Sequence, residues 1–162
     1  TLSKPMPETQ ALKNKELGII ENPIILNKKN INLKVLLCED NQINQLVGKK
    51  ILESFGCSVT IASNGQIGYE TFLLKGDNSF DVILMDVRMP EMDGYETTRL
   101  IRNSDTKTGK TIPIYAMTAN VMKEDIETSS LVGMNGHIAK PIETKKLYYI
   151  LEKIWLSKKS NK

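Results

Sequence analysis

The sequence has 162 residues, the length of one ordinary domain, and its 40% hydrophobic and 25% charged residues exclude a globally disordered chain. It contains no apolar run approaching the roughly 20 residues of a transmembrane helix, and no signal-peptide pattern. The net charge of +3 would suit a nucleic-acid partner, but residues 1–33 carry +2 and residues 157–162 carry +3, which leaves −2 for residues 34–156. We therefore expect no nucleic-acid binding and no direct membrane insertion.

The first 32 residues predict a flexible linker. Pro5, Pro7 and Pro23 interrupt this stretch, and no helical period persists in it. Its apolar pieces at 19–20 and 24–26 could dock as a short strand or helix. Because the sequence starts at Thr1 rather than Met, we expect it to be a fragment of a longer protein.

From Leu33 onward, short apolar runs alternate with amphipathic segments. Continuous apolar runs are typical of parallel strands that are buried on both faces. The five runs cover residues 35–38, 59–62, 82–85, 112–117 and 138–139. Helical spacing is clear for Ile43, Leu46, Val47, Ile51 and Phe55, and for Leu147, Ile150, Leu151, Ile154 and Trp155. Weaker helical patterns cover residues 64–75, 93–103 and 120–132.

This alternation predicts an α/β fold with a doubly wound, five-stranded parallel sheet, because parallel strands need right-handed crossover helices between them. The predicted domain covers residues 33–156, its last helix ends near Leu156, and residues 157–162 form a basic tail. Cys38 and Cys57 are expected at opposite ends of neighbouring strands, roughly 15 Å apart, which is too far for a disulfide. Reduced cysteines are typical of a cytoplasmic domain.

Polar residues follow four of the predicted strands, at the edge of the sheet where open α/β folds bind their ligands. Glu39 and Asp40 follow the first strand, Asp86 the third, Thr118 the fourth and Lys140 the fifth. Three converging carboxylates would repel one another unless a hard cation with oxygen ligands, such as Mg²⁺, lay between them. A lysine and a hydroxyl at the same edge suit an anionic phosphoryl group.

Each of these residues also has a simpler explanation. Asp40 or Asn41 could cap the first helix, Thr118 could cap the fourth, and Lys140 could be a surface charge. The functional interpretation depends on four strand ends supplying one chemically compatible set.

The sequence resembles the receiver domains of two-component signalling, particularly those of hybrid histidine kinases. The motifs that carry the resemblance are residues 35–44, 85–94, 116–120 and 139–141, in the family order. Each motif falls at a predicted strand end, and together they extend over roughly 33–156. The resemblance implies the flavodoxin-like (βα)5 receiver fold.

The resemblance also assigns roles at this edge. Asp86 would be the phosphoacceptor, a carboxylate nucleophile that attacks a phosphohistidine. Glu39, Asp40, Asp86 and the backbone carbonyl of Arg88 would hold Mg²⁺. Lys140 would pair with the phosphoryl group, and its peptide bond to the following proline would be cis, as in similar proteins.

A switch is implied as well. Phosphorylation would draw Thr118 inward, and the residue three positions before the lysine, which is aromatic in the family, would rotate toward the space that Thr118 leaves. That position is His137, the only histidine in the sequence, and an exposed strand residue with no switching role is the alternative. Arg88 and Asn120 resemble the pair of positions that tunes dephosphorylation in the family.

Other functions fit the sequence less well. A phosphatase of the haloacid-dehalogenase kind would need an acid two residues after Asp86, where Arg88 stands. A dinucleotide-binding domain would need a G-x-G-x-x-G motif after the first strand, and a histidine kinase core would need ATP-binding glycine boxes; neither is present in the sequence. A receiver-like interaction module that is never phosphorylated is the remaining alternative.

The resemblance implies partners and context. The partner would be a phosphohistidine-bearing kinase or a histidine phosphotransfer protein. The domain would catalyse its own phosphorylation and dephosphorylation, and whether it counts as an enzyme is open. We expect the cytoplasmic C-terminal receiver of a hybrid sensor kinase, tethered to a membrane if the rest of that protein is; a single-domain regulator is the alternative.

Overall fold

The computed structural model of the chain describes residues 30–119 and 122–160. Five strands and five helices alternate along these residues, and a short 3-10 turn precedes the fourth strand. Their bounds are β1 Lys34–Cys38, α1 Gln42–Ser54, β2 Ser58–Ala62, α2 Gly65–Lys75, β3 Val82–Asp86, α3 Gly94–Arg102, the turn Thr108–Lys110, β4 Ile114–Thr118, α4 Lys123–Val132, β5 Gly136–Ala139 and α5 Thr144–Ser160.

All five strands are parallel and form one sheet in the order β2-β1-β3-β4-β5. The order reverses beside β1, because the chain passes from β1 to β2 on one side and from β2 back to β3 on the other. This arrangement confirms the predicted fold. β4 begins at Ile114 rather than at residue 112, because Pro113 has no N–H to donate to the ladder.

Helices cover both faces of the sheet. Side chains of α1 and α5 share one core with the sheet, and side chains of α2, α3 and α4 share the other. The buried residues that represent these helices are Leu52 of α1, Leu151 of α5, Phe72 of α2, Ile101 of α3 and Val132 of α4. Burial on both faces is the physical reason that the strands are continuously apolar.

Three of the helices begin with a side-chain cap. Asn41, Asn64 and Asp93 have extended backbone conformations, and each accepts a hydrogen bond from the backbone N–H three residues later. Such caps satisfy a donor that the helix itself leaves unpaired. Asn41 therefore caps α1, whereas Thr118 is not a cap, since α4 begins only at Lys123.

The apolar face of α1 is less buried than its helical spacing predicts. Ile51 and Leu52 are buried, but Ile43, Leu46 and Val47 keep 72, 55 and 43% of their surface exposed. Helical periodicity identified the residues that share a face, but the sheet covers only the C-terminal half of that face.

Both ends of the domain extend further than expected. Ile31, which the sequence pattern assigns to the linker, is fully buried, and its N–H donates to the carbonyl of Phe55 at 2.8 Å. The last helix continues to Ser160, so residues 157–160 are helical rather than part of a tail. The apolar pieces at 19–20 and 24–26 lie outside the described residues, and the division into linker, domain and tail otherwise stays a prediction.

Cys38 and Cys57 are both buried and free. No helix among the described residues is long and apolar enough to cross a membrane.

Candidate functional site

The parallel sheet brings its polar strand ends together at one edge. In the strand register, Asp86 lies beside Met117, and Thr118 lies beside Ala139, the residue before Lys140. Asp86 and Thr118 each keep only 5% of their surface exposed. The edge therefore holds a buried carboxylate and a buried hydroxyl, and a lysine directly follows the next strand.

Three carboxylates form a compact group at this edge. Glu39, Asp40 and Asp86 each place one oxygen so that these atoms all lie within 4.8 Å of one another. Glu39 and Asp86 are buried, whereas Asp40 is exposed. The donor set consists only of oxygens and carries more than one negative charge, which is the chemistry that Mg²⁺ prefers in proteins, so the residues fit that ion.

Lys140 joins the two buried acids. Its Nζ lies 2.7 Å from Oε1 of Glu39 and 3.2 Å from Oδ2 of Asp86. Its backbone N–H donates to the carbonyl of Thr118 at 2.9 Å, and its peptide bond to Pro141 is cis, as expected. One cation, directly after the fifth strand, thus faces both acids.

The pKa values of the two buried acids, Asp86 and Glu39, are shifted in opposite directions. The pKa of Asp86 is raised from 3.8 to about 6, mainly by burial; the negative charge of Glu39 adds to this rise and the attraction of Lys140 opposes it. Burial also acts upward on the pKa of Glu39, but hydrogen bonds from Lys140 and from the backbone N–H of Asn41 hold it below its ordinary value. Burial acts to lower the pKa of Lys140, and its bonds to the acids raise it above the ordinary value.

The loop after β3 approaches Asp86 closely. The backbone N–H of Arg88 donates to Oδ1 of Asp86 at 3.3 Å, while the Arg88 side chain is exposed. Gly94 begins α3 directly against this loop, and its N–H donates to the carbonyl of Val87 at 2.9 Å. A Cβ at Gly94 would collide with the carbonyl oxygen of Asp86, so this position requires the missing side chain.

The remaining predicted positions are placed differently. His137 lies on β5 and is half-buried, so it is not an exposed strand residue; its Nε2 is buried and has no hydrogen-bond partner among the described residues. Asn120 lies outside those residues. The interpretation of Asn120 as half of a tuning pair with Arg88 stays a prediction.

Sequence reasoning missed Gln45. Its side-chain Nε2 donates to the backbone carbonyl of Glu39 at 2.7 Å, which ties α1 to the end of β1. The contact spans six residues across a strand-to-helix turn, so helical or strand periodicity contains no signal for it.

Comparison with known proteins agrees with this geometry. Residues 35–152 match the family model described as the response regulator receiver domain. The chain is 34% identical over 146 residues to Probable histidine kinase 5 of Oryza sativa subsp. japonica, covering 79% of this chain and 12% of that protein. It is 39% identical over 133 residues to Transcription factor SKN7 of Candida albicans, covering 82% of this chain and 22% of that protein.

A solved structure supports the same conclusion. The receiver domain of a sensor histidine kinase from Pseudomonas aeruginosa PAO1, with a magnesium ion coordinated in its active-site cleft, is 37% identical and superposes with a TM-score of 0.67, covering 76% of this chain and 98% of that domain. The chain spans less than a quarter of the length of the two curated relatives. The fold, the edge geometry and the matches together establish that the chain belongs to the response regulator receiver domain family of two-component signalling.

Proposed function

We propose that the chain is a phosphoacceptor domain that takes a phosphoryl group from a phosphohistidine onto Asp86 in a Mg²⁺-dependent reaction. The observation that carries this proposal is the grouping of Asp86 with Glu39, Asp40 and Lys140 at one edge of the sheet. The group combines a nucleophile, a site for a cation and a fixed positive charge, which are the parts that phosphoryl transfer requires.

Asp86 supplies the nucleophile. A carboxylate oxygen attacks phosphorus, the bond from phosphorus to the histidine nitrogen breaks, and that nitrogen leaves with the electron pair while an acyl phosphate forms. With its pKa raised to about 6, the Asp86 carboxyl is still mostly ionised at neutral pH and is more basic than an exposed aspartate.

Glu39, Asp40, Asp86 and the backbone carbonyl of Arg88 would hold Mg²⁺. When bound, the ion supplies positive charge that offsets the repulsion between the carboxylates and the phosphoryl oxygens. Lys140 would exchange part of its contact with Asp86 for the new phosphoryl oxygens, since its Nζ lies only 3.2 Å from Oδ2. The Thr118 hydroxyl, on the neighbouring strand, would donate a hydrogen bond to them.

We assign the conformational response to Thr118 and His137. The two side chains belong to adjacent strands, with Thr118 beside Ala139 in register, two residues from His137. Movement of Thr118 toward the phosphoryl group would open space next to β5, and the buried Nε2 of His137 would gain a polar environment by moving.

The partner surface is the exposed apolar part of α1. Ile43, Leu46 and Val47 lie on the helix that starts three residues after Glu39, so they border the edge that holds Asp86. A phosphohistidine-bearing kinase or a histidine phosphotransfer protein that docks there would bring its histidine to Asp86. We expect such a protein domain to work in the cytoplasm.

The direct test is labelling of the purified chain by a phosphohistidine donor and by acetyl phosphate, each with MgCl2 and with EDTA. Intact-mass spectrometry should detect one phosphoryl adduct in the Mg²⁺ reactions, and no adduct with EDTA or in Asp86→Asn. Asp93→Asn is a matched control, because Asp93 follows the same strand but only caps α3, and it should still be labelled.

Labelling that persists in Asp86→Asn, or the absence of labelling by either donor, would overturn the phosphoacceptor proposal. The second outcome would leave the unphosphorylated interaction module as the function of this fold.

A further inference from the structure

The carboxylates at the sheet edge are held by unequal means. Both side-chain oxygens of Glu39 are bound, Oε1 by Lys140 at 2.7 Å and Oε2 by the backbone N–H of Asn41 at 3.1 Å. The side chain of Asp40 is exposed and has no hydrogen bond or ion pair among the described residues. The position of the Asp40 carboxylate therefore depends on how its backbone is held.

The backbone of Glu39 is held at two points, one on each of its peptide units. The backbone N–H of Glu39 donates to the carbonyl of Ala62 at 3.0 Å and so continues the pairing of β1 with β2. Its carbonyl lies beyond the end of that strand, and it accepts from the half-buried side chain of Gln45 at 2.7 Å. Loss of the Gln45 donor would free the Glu39 carbonyl and allow the plane of the Glu39–Asp40 peptide to rotate.

We propose that Gln45 is a positioning residue for the divalent-cation site, because its amide holds the Glu39–Asp40 peptide so that the Asp40 carboxylate stays within ligand distance of Asp86. The inference rests on the proposed function, since it concerns the same Mg²⁺ site. Gln45 acts through the backbone and does not itself contact a reacting atom.

In this role Gln45 orients a metal ligand through the backbone. Groups that orient metal ligands influence affinity for the ion, and their loss costs about tenfold or more in metal affinity. Orientation matters most for the exposed Asp40, because Glu39 keeps its contacts with Lys140 and Asn41 in the absence of Gln45.

The test is Gln45→Met in the whole chain, since methionine has the length of glutamine and a good helix propensity but no N–H to donate. Isothermal titration calorimetry with MgCl2 should give a dissociation constant raised about tenfold. Phosphorylation by acetyl phosphate should need correspondingly more Mg²⁺ for half-maximal rate, while the rate at saturating Mg²⁺ stays near that of the unmodified chain.

Gln42→Met is the matched control. Gln42 begins the same helix and is exposed, and its side chain makes no hydrogen bond among the described residues, so its substitution should leave the Mg²⁺ affinity unchanged. Melting temperatures without metal separate affinity from stability, and Gln45→Leu offers a second donor-free variant if Gln45→Met fails to fold.

Two outcomes would overturn the role of Gln45 and leave the proposed function intact. One is a Gln45→Met protein that binds Mg²⁺ as tightly as the unmodified chain, and the other is an equal loss of Mg²⁺ affinity in Gln42→Met. A purely structural role would lower the melting temperature and leave the dissociation constant unchanged, and this result also counts against positioning. If the unmodified chain itself bound no Mg²⁺, the proposed function would fail first, so the two failures are distinguishable.

Discussion

Asp86 destabilises the metal-free domain at neutral pH, because its carboxyl is mostly ionised there and burial penalises the ionised form. Its pKa in the folded chain is about 6, above the ordinary 3.8, so between these values the folded state binds more protons than the unfolded state. The free energy of unfolding contributed by this group therefore falls as pH rises from about 4 to about 6, and the cost is fully present above the folded pKa.

We expect Asp86→Asn to be more stable than the unmodified chain at pH 7 by about 1 to 3 kcal/mol without metal, since the substitution removes a charge that is costly to bury. Lys140 keeps its partner Glu39 in this variant. Urea unfolding in EDTA from pH 4.5 to 7.5 measures the difference, which should shrink toward acid pH. A difference that stays constant over this range would contradict the raised pKa.

His137 lowers the stability of the fold for a different reason. Its Nε2 is buried with no partner among the described residues, and an unpaired buried polar atom is unfavourable. We expect His137→Phe to raise the free energy of unfolding at pH 7.5 by about 1 kcal/mol, whereas His137→Asn, which keeps a polar group there, should bring no gain. Chemical denaturation of the unmodified chain and the two variants measures these differences in the free energy of unfolding. A phenylalanine variant that is less stable than the unmodified chain would argue that His137 has a partner in solution.

At the scale of elements, α1 divides into a packed half and an exposed half. Its C-terminal half packs into the core through Ile51 and Leu52, while Leu46 and Val47 in its N-terminal half remain exposed beside the sheet edge that holds Asp86. Large apolar side chains that are grouped on one exposed helix face are a common feature of interaction sites.

We expect the double substitution Leu46→Ser, Val47→Ser to slow phosphotransfer from a phosphohistidine-bearing protein about tenfold or more, because docking loses its apolar contacts. Labelling by acetyl phosphate, which needs no docking, should stay within about twofold of the unmodified rate. Leu74→Ser is the control, since Leu74 is 87% exposed on α2, which packs on the other face of the sheet. Equal slowing with both donors would mean that the substitutions damage the site rather than the docking surface.

At the scale of the whole molecule, the end of α5 contacts residues that precede β1 and β3. These contacts lie at the end of the sheet where the strands begin, opposite the edge that holds Asp86. Trp155 donates from Nε1 to Oδ1 of Asn32 at 3.2 Å, and Nζ of Lys158 lies 3.1 Å from Oδ1 of Asp81. Part of the basic charge near the C-terminus is therefore paired with an acid of the domain, while the absence of a nucleic-acid partner stays a prediction.

We expect Ile31→Ala to destabilise the domain by about 2 to 4 kcal/mol, as for other buried isoleucines, because Ile31 is fully buried in the core shared with α1 and α5. Ile43→Ala, a matched substitution at a position that is 72% exposed, should change the free energy of unfolding by less than about 0.5 kcal/mol. Equilibrium urea unfolding compares the two. Equal effects would mean that the residues before β1 do not belong to the folded unit.

Much of the fold was predictable from local pattern. The apolar runs identified all five strands, since parallel strands buried on both faces must be apolar throughout. Alternation with amphipathic segments then predicted the parallel, doubly wound sheet, and the polar residues after the runs predicted which side chains meet at its edge. Asp86, Thr118 and Lys140 were found in this way because chain connectivity alone places them at the same end of parallel strands.

Other features depend on which surfaces pack against each other, and no local pattern contains that information. Periodicity placed Ile43 and Ile51 on one face of α1, but only the position of the sheet determined that the first is exposed and the second buried. The contact of Gln45 with Glu39 and the contacts of Lys140 with both acids likewise depend on distances between separate elements. The sequence by itself determined the fold and which polar residues meet at the edge. The tertiary structure decided the electrostatics and the exposed surfaces, because charges and apolar faces respond to every neighbour in space.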